Sequence, residues 1–264
     1  MHTGFSTALL LVVCLAGAAA GAAAGAADMV TIAAGTLQMG RNDGPDDERP
    51  AHRVTLGAFS IDRLPVTNAR FAEFLNAAGT HSRDGMRLYD FDDGDARIHQ
   101  HGKLWSADRG FEQHPAVEVS WIGARDYCAW RGQRLPTEAE WERAARGDDG
   151  PRYPWGNAAP NSGRAQFGKR FNETAAADGF PQGASPFGIL GMAGNAWEWV
   201  SSAYRPYPYD ALDGREDAAA GPVRATRGGG HDSPADEITA TQRGRYLSRN
   251  PRAGHHNISF RCAR

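Results

Sequence analysis

The sequence predicts an α+β fold with little regular secondary structure, and two observations support this prediction. Three short helical patterns lie in the first part of the chain, each preceded by Ser or Thr and followed by Gly. Beyond Gly147 no good helical periodicity returns, whereas Gly, Pro, Asn and aromatic residues recur every few positions. The 264 residues are enough for one domain with a full hydrophobic core. Long ordered loops usually need metal ions, disulfides or a functional role to fix them.

Local signals place the regular elements. The first helix is predicted over residues 67–78, the second over 120–131 and the third over 137–146, which begins with the capping-box pattern T-x-x-E. Residues 29–40, MVTIAAGTLQMG, alternate between apolar and polar residues and stop at glycine, as a half-buried strand does. An acidic loop and further strands are expected after it.

The amino terminus predicts a secretory signal peptide over residues 1–27. The apolar run Ala8–Leu15 has the length of a signal-peptide hydrophobic region, and the Ala-rich stretch after it suits a cleavage site. An uncleaved membrane anchor is the alternative, but the Ala/Gly half is poorly hydrophobic for an anchor. We therefore expect a mature domain over residues 28–264, periplasmic or secreted, without a membrane anchor after cleavage.

Charge and cysteine content narrow the classes of partner and compartment. The formal net charge of −2 does not favour nucleic acid or an anionic membrane as a partner. Two cysteines remain after cleavage, Cys128 and Cys262. In an oxidising compartment they are most simply one disulfide, and two buried thiols are the alternative.

Five motifs occur in a fixed order along the chain. They are VSWIGARDYCAWRGQRLPTEAEWERAARG (119–147), YPWGN (153–157), GNAWEWV (194–200), RGGG (227–230) and SFRCAR (259–264). With these motifs the mature chain resembles the formylglycine-generating enzyme, or sulfatase-modifying factor, family over essentially its whole length. The resemblance implies an irregular C-type-lectin-like fold. It also implies a peptide, protein or small-molecule substrate, and we expect a monomer.

The resemblance implies a structural calcium ion in the stretch GMAGNAWE. Its ligands would be the Glu198 carboxylate and the carbonyl oxygens of Gly194 and Ala196, while Gly191 stands where the family has an asparagine ligand. Calcium prefers six to eight hard oxygens, and glycines let successive carbonyls turn inward. The alternative is that Glu198 accepts backbone hydrogen bonds in a tight turn.

A further calcium site of the family is matched through the sequences PNSG and ADGF. The oxygen ligands implied there are the side chains of Asn161 and Asp178 and the carbonyls of Ser162 and Phe180. The alternative is an Asx-turn in a solvated loop.

The resemblance also implies a pairing of the cysteines. Cys128 and Cys262 match both halves of one family disulfide, and the positions of the other disulfide hold Ala145 and Arg243. Loss of a whole bridge, without a leftover thiol, agrees with this alignment. We therefore predict a Cys128–Cys262 disulfide.

The catalytic cysteine pair of the family is absent. Ser233 and Ile238 occupy the positions where two thiolates bind copper(I), a soft ion that prefers sulfur. Neither side chain can replace a thiolate in that role. Conventional conversion of cysteine to formylglycine is therefore not expected.

The loop RGGGHDSPADEI, residues 227–238, offers other chemistry. His231 can bind a metal or move a proton, and Asp232 can orient it or share the metal. Iron or copper is chemically compatible with such a pair, and an exposed loop histidine without a ligand is the alternative. The substrate groove implied by the resemblance would be lined by Trp197, Arg227, Gly230 and Ser233.

Two functions fit a family member without the thiolates. One is an exported oxidative tailoring or maturation enzyme that acts on a peptide or small metabolite, similar to the pyoverdine-maturation oxidases. The other is a non-catalytic, calcium-stabilised binding or accessory module of the same fold. The sulfoxide synthases of ergothioneine type are excluded, because the chain has no room for their extra helical domain. The sequence favours the enzyme.

Overall fold

The computed structural model describes residues 28–148, 150–219, 223–244, 250 and 252–264. The predicted signal peptide, residues 1–27, lies outside the described residues. Within the described part of the chain, no helix is long and apolar enough to cross a membrane.

Three helices form where the capping signals predict them: α1 (Asn68–Ala78), α2 (Trp121–Trp130) and α3 (Glu138–Arg146). Their N-cap side chains accept hydrogen bonds from the backbone N–H three residues later, and α3 has the complete capping box. These contacts satisfy N–H groups that the first turn of a helix leaves unpaired. The helix predictions are confirmed.

The strands are short. They are β1 (Met29–Ile32), β2 (Gly35–Met39), β3 (His52–Leu56), β4 (Phe59–Asp62), β5 (Ile98–His101), β6 (Leu104–Ala107), β7 (Trp197–Ala203), β8 (Arg224–Arg227) and β9 (Ile258–Phe260). The stretch 29–40, predicted as one strand, forms both β1 and β2, which pair with β4 and β3 respectively. The chain changes partner between them, so one alternating pattern covers two strands.

The sheet that positions the site has three strands in the order β8-β7-β9. Strand β7 lies in the centre, antiparallel to β8 and parallel to β9. Because successive side chains of a strand point to opposite faces, Trp197 and Trp199 join the core cluster that includes α1 and α2. Val200 joins the cluster formed with α3. Both faces of β7 are therefore buried, which explains the tryptophans in this strand.

A disulfide joins α2 to the segment after β9. Cys128 and Cys262 are bonded, with a distance of 5.6 Å between their Cα atoms and a separation of 134 residues in sequence. Closing a loop of this length stabilises the fold by about 5 kcal/mol on the chain-entropy account. Among the described residues beyond Gly147, the only helical segments are short 3₁₀ turns, as the sequence predicts.

Candidate functional site

Glu198 lies at the centre of the fold and is 1% exposed. Its two carboxylate oxygens accept hydrogen bonds from Nη2 and Nε of Arg261 at 2.6 and 2.7 Å, and Trp141 Nε1 donates to Oε2 at 2.7 Å. Arg261 thus gives this carboxylate a cationic partner within the chain, and calcium at Glu198 stays a prediction.

The remaining residues of that predicted calcium site are packed against other groups. A Cβ at Gly191 would lie 3.6 Å from Arg261 Nη2, and a Cβ at Gly194 would lie 2.3 Å from the Gln166 carbonyl oxygen. Both glycines have φ near +70°. The other oxygens of that predicted site are backbone carbonyls, including that of Ala196, so Glu198 is its one charged ligand.

The second predicted calcium site has a different geometry. Asn161 Oδ1 accepts a hydrogen bond from the Gly163 N–H at 3.0 Å, which is the Asx-turn that the sequence left as an alternative. The Phe180 carbonyl accepts from the Gly183 N–H at 2.9 Å. Ser162 and Asp178 are exposed. Calcium at this place stays a prediction.

Arg227, at the end of β8, is fully buried in a network of charges. Its Nη1 lies 3.2 Å from Glu138 Oε1, and its Nη2 donates to Glu142 Oε2 at 2.5 Å. Arg243, at a position of the family's second disulfide, donates to Glu138 from Nε at 2.7 Å. Burial alone would lower the pKa of Arg227, but Tyr207 and the two glutamates raise it overall. Arg227 therefore supports the sheet from inside, and its assignment to a substrate groove is wrong.

The glycines after Arg227 bend the chain tightly around neighbouring groups. Gly228 and Gly229 have φ of 95° and 79°, which glycine adopts without steric cost. A Cβ at Gly230 would lie 2.8 Å from Asp232 Oδ1 and 3.0 Å from Trp197 Cδ1. The turn thus brings the next residues against the edge of Trp197, which is itself 5% exposed.

His231 is 0% exposed, although the sequence alone allowed an exposed loop residue. Its Nδ1 lies 3.0 Å from the carbonyl oxygen of Asn195. Because a carbonyl only accepts, Nδ1 must carry the proton, and the lone pair of Nε2 is left free. Burial lowers the pKa of His231, so the ring is neutral near physiological pH. A neutral imidazole with a free Nε2 can take up a proton or bind a metal.

Asp232 forms the more accessible part of the same cluster. Its carboxylate accepts two hydrogen bonds from Asn257 Nδ2, at 3.0 and 3.2 Å, and His256 Nε2 lies 3.5 Å from Oδ2. His256 and Asn257 together lower the pKa of Asp232 to about 2. The ring of Phe171, which is 61% exposed, lies with its centroid 4.0 Å from that of His256.

Three buried polar atoms of this cluster have no hydrogen-bond or ion-pair partner among the described residues. They are Nε2 of His231, Nε2 of His255 and Oδ1 of Asn257. The rings of His231 and His256 have centroids 6.0 Å apart. Burial lowers the pKa of His255, whose other bond is to the backbone of Asn250. We call His231, Asp232, His255, His256 and Asn257 the histidine cluster. Unpartnered buried polar groups are costly, so such a concentration indicates a place for a ligand.

The positions of the family's copper-binding cysteines do not fit a metal. Ile238 is 0% exposed and packs in an apolar cluster with Tyr153, Ala165 and Ala193. Ser233 is 5% exposed, and its hydroxyl accepts a hydrogen bond from the Gly230 N–H at 3.1 Å. The Ile238 side chain is thus part of an apolar cluster, and the Ser233 hydroxyl is bonded to the backbone.

The structure adds three residues that the sequence did not single out. Asn195 fixes the tautomer of His231, Asn257 orients Asp232, and Phe171 covers His256. Asn257 directly follows two histidines at the start of β9, and this arrangement was the available signal. Asn195 acts through its backbone carbonyl, which a side-chain motif does not reveal.

Residues 17–264 match the family described as sulfatase-modifying factor enzyme 1-like domain. The chain belongs to this family, and its α+β fold with little regular secondary structure is the fold of the family.

Three relatives show how widely this domain is used. The serine/threonine-protein kinase Pkn1 of Chlamydia trachomatis is 36% identical over 90% of this chain and 38% of the relative. The inactive C-alpha-formylglycine-generating enzyme 2 of Bos taurus is 35% identical over 89% and 87%. The hercynine oxygenase of Mycolicibacterium thermoresistibile is 35% identical over 72% and 48%. The chain thus spans well under half of the kinase relative it matches.

The solved structure of PvdO from Pseudomonas aeruginosa is similar over most of both chains. Its TM-score is 0.66 and its sequence identity 25%, over 89% of this chain and 93% of PvdO. This similarity agrees with the predicted fold class and with the family.

Proposed function

We propose that the protein is an oxidative tailoring enzyme that acts on a peptide or small metabolite at the histidine cluster. The observation that carries this proposal is the free Nε2 lone pair of the buried, neutral His231. The loop that contains it begins directly after the family's RGGG motif. The similarity to a hercynine oxygenase supports an oxidative reaction with dioxygen as the oxidant.

The residues of the histidine cluster differ in solvent exposure, and we assign their roles accordingly. Asp232 and His256, whose side chains are 34% and 22% exposed, are the groups that a substrate meets first. Asn257 Oδ1 accepts a hydrogen bond from the substrate, and its Nδ2 holds Asp232 in place. His231 lies behind them as a neutral base that takes up the proton released in the reaction. Phe171, whose ring packs against that of His256, offers an apolar contact to the substrate.

Copper held by thiolates is not part of this proposal, because Ser233 and Ile238 do not fit it. The histidines are a chemically better donor set for iron or copper. Among the described residues, however, their ligand atoms do not form a group of three within 4.8 Å. The proposed proton transfer is independent of such a metal.

Export is part of the same proposal. The apolar leader at residues 1–27 and the Cys128–Cys262 disulfide both support an oxidising compartment, periplasmic or extracellular. The remaining expectations, a structural calcium ion near Asp178 and a monomeric state, stand as proposals with it.

The test is to incubate the purified protein with ¹⁸O-labelled dioxygen and pooled peptides or metabolites, followed by mass spectrometry. The expected products lose two hydrogen atoms, which reduce one dioxygen molecule to labelled hydrogen peroxide. His231→Gln should lower their yield by a factor on the order of 100, the scale of general acid–base catalysis. His99→Gln is a matched control, because His99 pairs with Asp108 outside the cluster and the yield should not change. Equal yields from His231→Gln and the unmodified protein would overturn the proposal.

A binding module is the second candidate, and the fully buried Ile238 favours it. In that position the fold has replaced a reactive group by core packing, and one relative is itself named inactive. A module would retain a peptide or metabolite on the histidine cluster without changing its mass. Asp232→Asn would then weaken retention, whereas no oxidised product would form with any variant.

A further inference from the structure

A second group of polar side chains lies next to the histidine cluster, outside the motifs of the family. Asp93 and Asp95 belong to the acidic segment after Asp90, and Glu118 lies directly before the capped start of α2. Within the described part of the chain, these three carboxylates are the one group of metal-ligating side chains with ligand atoms all within 4.8 Å of one another.

Glu118 is the unusual member, because it is buried and has no hydrogen-bond or ion-pair partner among the described residues. It is 3% exposed. The described contacts include no hydrogen-bond donor to its carboxylate and no cationic side chain paired with it. A buried carboxylate that faces other carboxylates is costly unless a cation compensates it.

The groups around Glu118 leave coordination positions open. Asp93 Oδ1 accepts from the Asp95 N–H at 2.9 Å, and Asn172 Nδ2 donates to Asp95 Oδ1 at 2.5 Å. Arg87, the nearby cation, pairs with Asp90 and Asp92 instead of the cluster. One oxygen of each aspartate is therefore free of these contacts.

We propose that Asp93, Asp95 and Glu118 bind a divalent cation with a preference for oxygen ligands, namely calcium. Calcium–oxygen distances are about 2.4 Å, so ligand oxygens up to about 4.8 Å apart can surround one ion. The donor set consists of carboxylates alone, which suits calcium, and the exposure of Asp93 admits water to complete the shell. The site is separate from both calcium sites implied by the family resemblance.

The proposed ion would stabilise the backbone segment that carries His255, one residue of the histidine cluster. The Glu118 N–H donates to the His255 carbonyl at 3.0 Å, and Asp90 Oδ2 accepts from the Gly254 N–H at 2.6 Å. A Cβ at Gly254 would lie 2.2 Å from the Glu118 carbonyl oxygen, so these backbones pack tightly. Fixing the carboxylates would thus also fix the segment that presents His255.

The test is calcium binding to the chelator-treated full chain, by equilibrium dialysis and by the thermal shift on adding calcium. Asp93→Asn, Asp95→Asn and Glu118→Gln should each weaken binding at this site at least tenfold. Asp92→Asn is the matched control, since Asp92 lies in the same segment but pairs with Arg87, and its affinity should stay within twofold. Asp178→Asn should leave this site intact, which separates it from the site implied by the resemblance.

The Glu118→Gln variant also distinguishes a loss of calcium binding from a loss of folding. Because a neutral side chain suits this burial, the variant should melt at or above the temperature of the calcium-free parent, yet gain no calcium-dependent shift. Unchanged calcium affinity in Asp93→Asn and Glu118→Gln would overturn the proposal. Magnesium that binds as tightly as calcium would overturn the choice of ion.

Discussion

Two buried polar regions lie within a few residues of each other and differ in how their charges are satisfied. At the end of β8, Arg227 is enclosed by Glu138 and Glu142, and every charged group there has an opposite partner. Four residues later the histidine cluster begins with His231, and three of its buried polar atoms have no partner among the described residues. We infer that the paired charges around Arg227 support the fold, whereas the unpaired polar atoms of the histidine cluster are available to bind a ligand.

The difference follows from the cost of burial. An unpaired buried charge costs several kcal/mol, so the arginines and glutamates of the network persist only as pairs. An unpaired neutral imidazole nitrogen costs about 1–3 kcal/mol, which a folded protein can tolerate at a few positions. Neutral histidines are therefore the groups that a fold can keep buried and still available for chemistry.

The largest effect is expected from breaking the network. Glu138→Gln removes the carboxylate that Arg227 and Arg243 share and leaves both guanidinium groups undercompensated. The free energy of unfolding should fall by about 3–5 kcal/mol, as for other buried pairs that lose one partner. Urea unfolding followed by circular dichroism measures this change.

The control for that experiment is an exposed pair. Asp92→Asn removes the ion pair between Asp92 and Arg87, whose side chains are 60% and 36% exposed. Because water screens an exposed pair, the free energy of unfolding should change far less than in Glu138→Gln. Equal losses from Glu138→Gln and Asp92→Asn would contradict the view that the network supports the fold.

The second prediction concerns Glu198 and its partner. Glu198→Gln removes the negative partner of the buried Arg261. It should cost about 3 kcal/mol, the lower end of the range for such pairs, because the Gln oxygen can still accept from Trp141. Because Arg261 is the partner, the cost should be the same with and without excess chelator, measured by thermal unfolding. A cost that disappears in chelator would restore calcium as the ligand of Glu198.

The third prediction concerns His231. His231→Gln should cost about 1 kcal/mol from the lost hydrogen bond to Asn195, more than an exposed loop residue would. The folded-state pKa of His231 is lowered, so its contribution is present above the ordinary pKa near 6.5 and is lost as pH falls below it. Between pH 7 and 5 the parent should lose more stability than His231→Gln, in melting curves at each pH. A parallel pH dependence would show that folding leaves the pKa of His231 at its ordinary value.

The accuracy of the sequence predictions depended on how local the signals were. The caps of α1, α2 and α3 involve residues three apart, so the sequence was sufficient to place them. The ordered motifs carried the family and the pairing of Cys128 with Cys262.

Contacts between distant segments were not predictable in the same way. Glu198 meets Arg261 across 63 residues, and Arg227 meets Glu138 across 89. An acidic residue in a glycine-rich stretch is compatible with either a metal or an arginine, and only packing decides between them. The burial of Arg227 and His231 likewise depends on the surrounding sheet, which a single loop sequence does not encode.

The smallest effect is expected at Asp232, the most exposed carboxylate of the histidine cluster. Its pKa is held near 2 by His256 and Asn257, below the ordinary value of 3.8. A lowered carboxyl pKa contributes stability that is present above the ordinary value and lost as pH falls toward 2. Since the side chain is 34% exposed, solvent screening limits the contribution to about 1 kcal/mol.

The melting-temperature difference between the parent and Asp232→Asn should therefore be measurable at pH 6 and shrink toward zero at pH 2. Asp178→Asn provides the comparison for a carboxylate on the surface, because Asp178 is exposed and has no ion pair among the described contacts. If Asp232→Asn behaves like Asp178→Asn, then His256 and Asn257 do not hold the carboxylate, and Asp232 belongs to the solvated surface instead of the cluster.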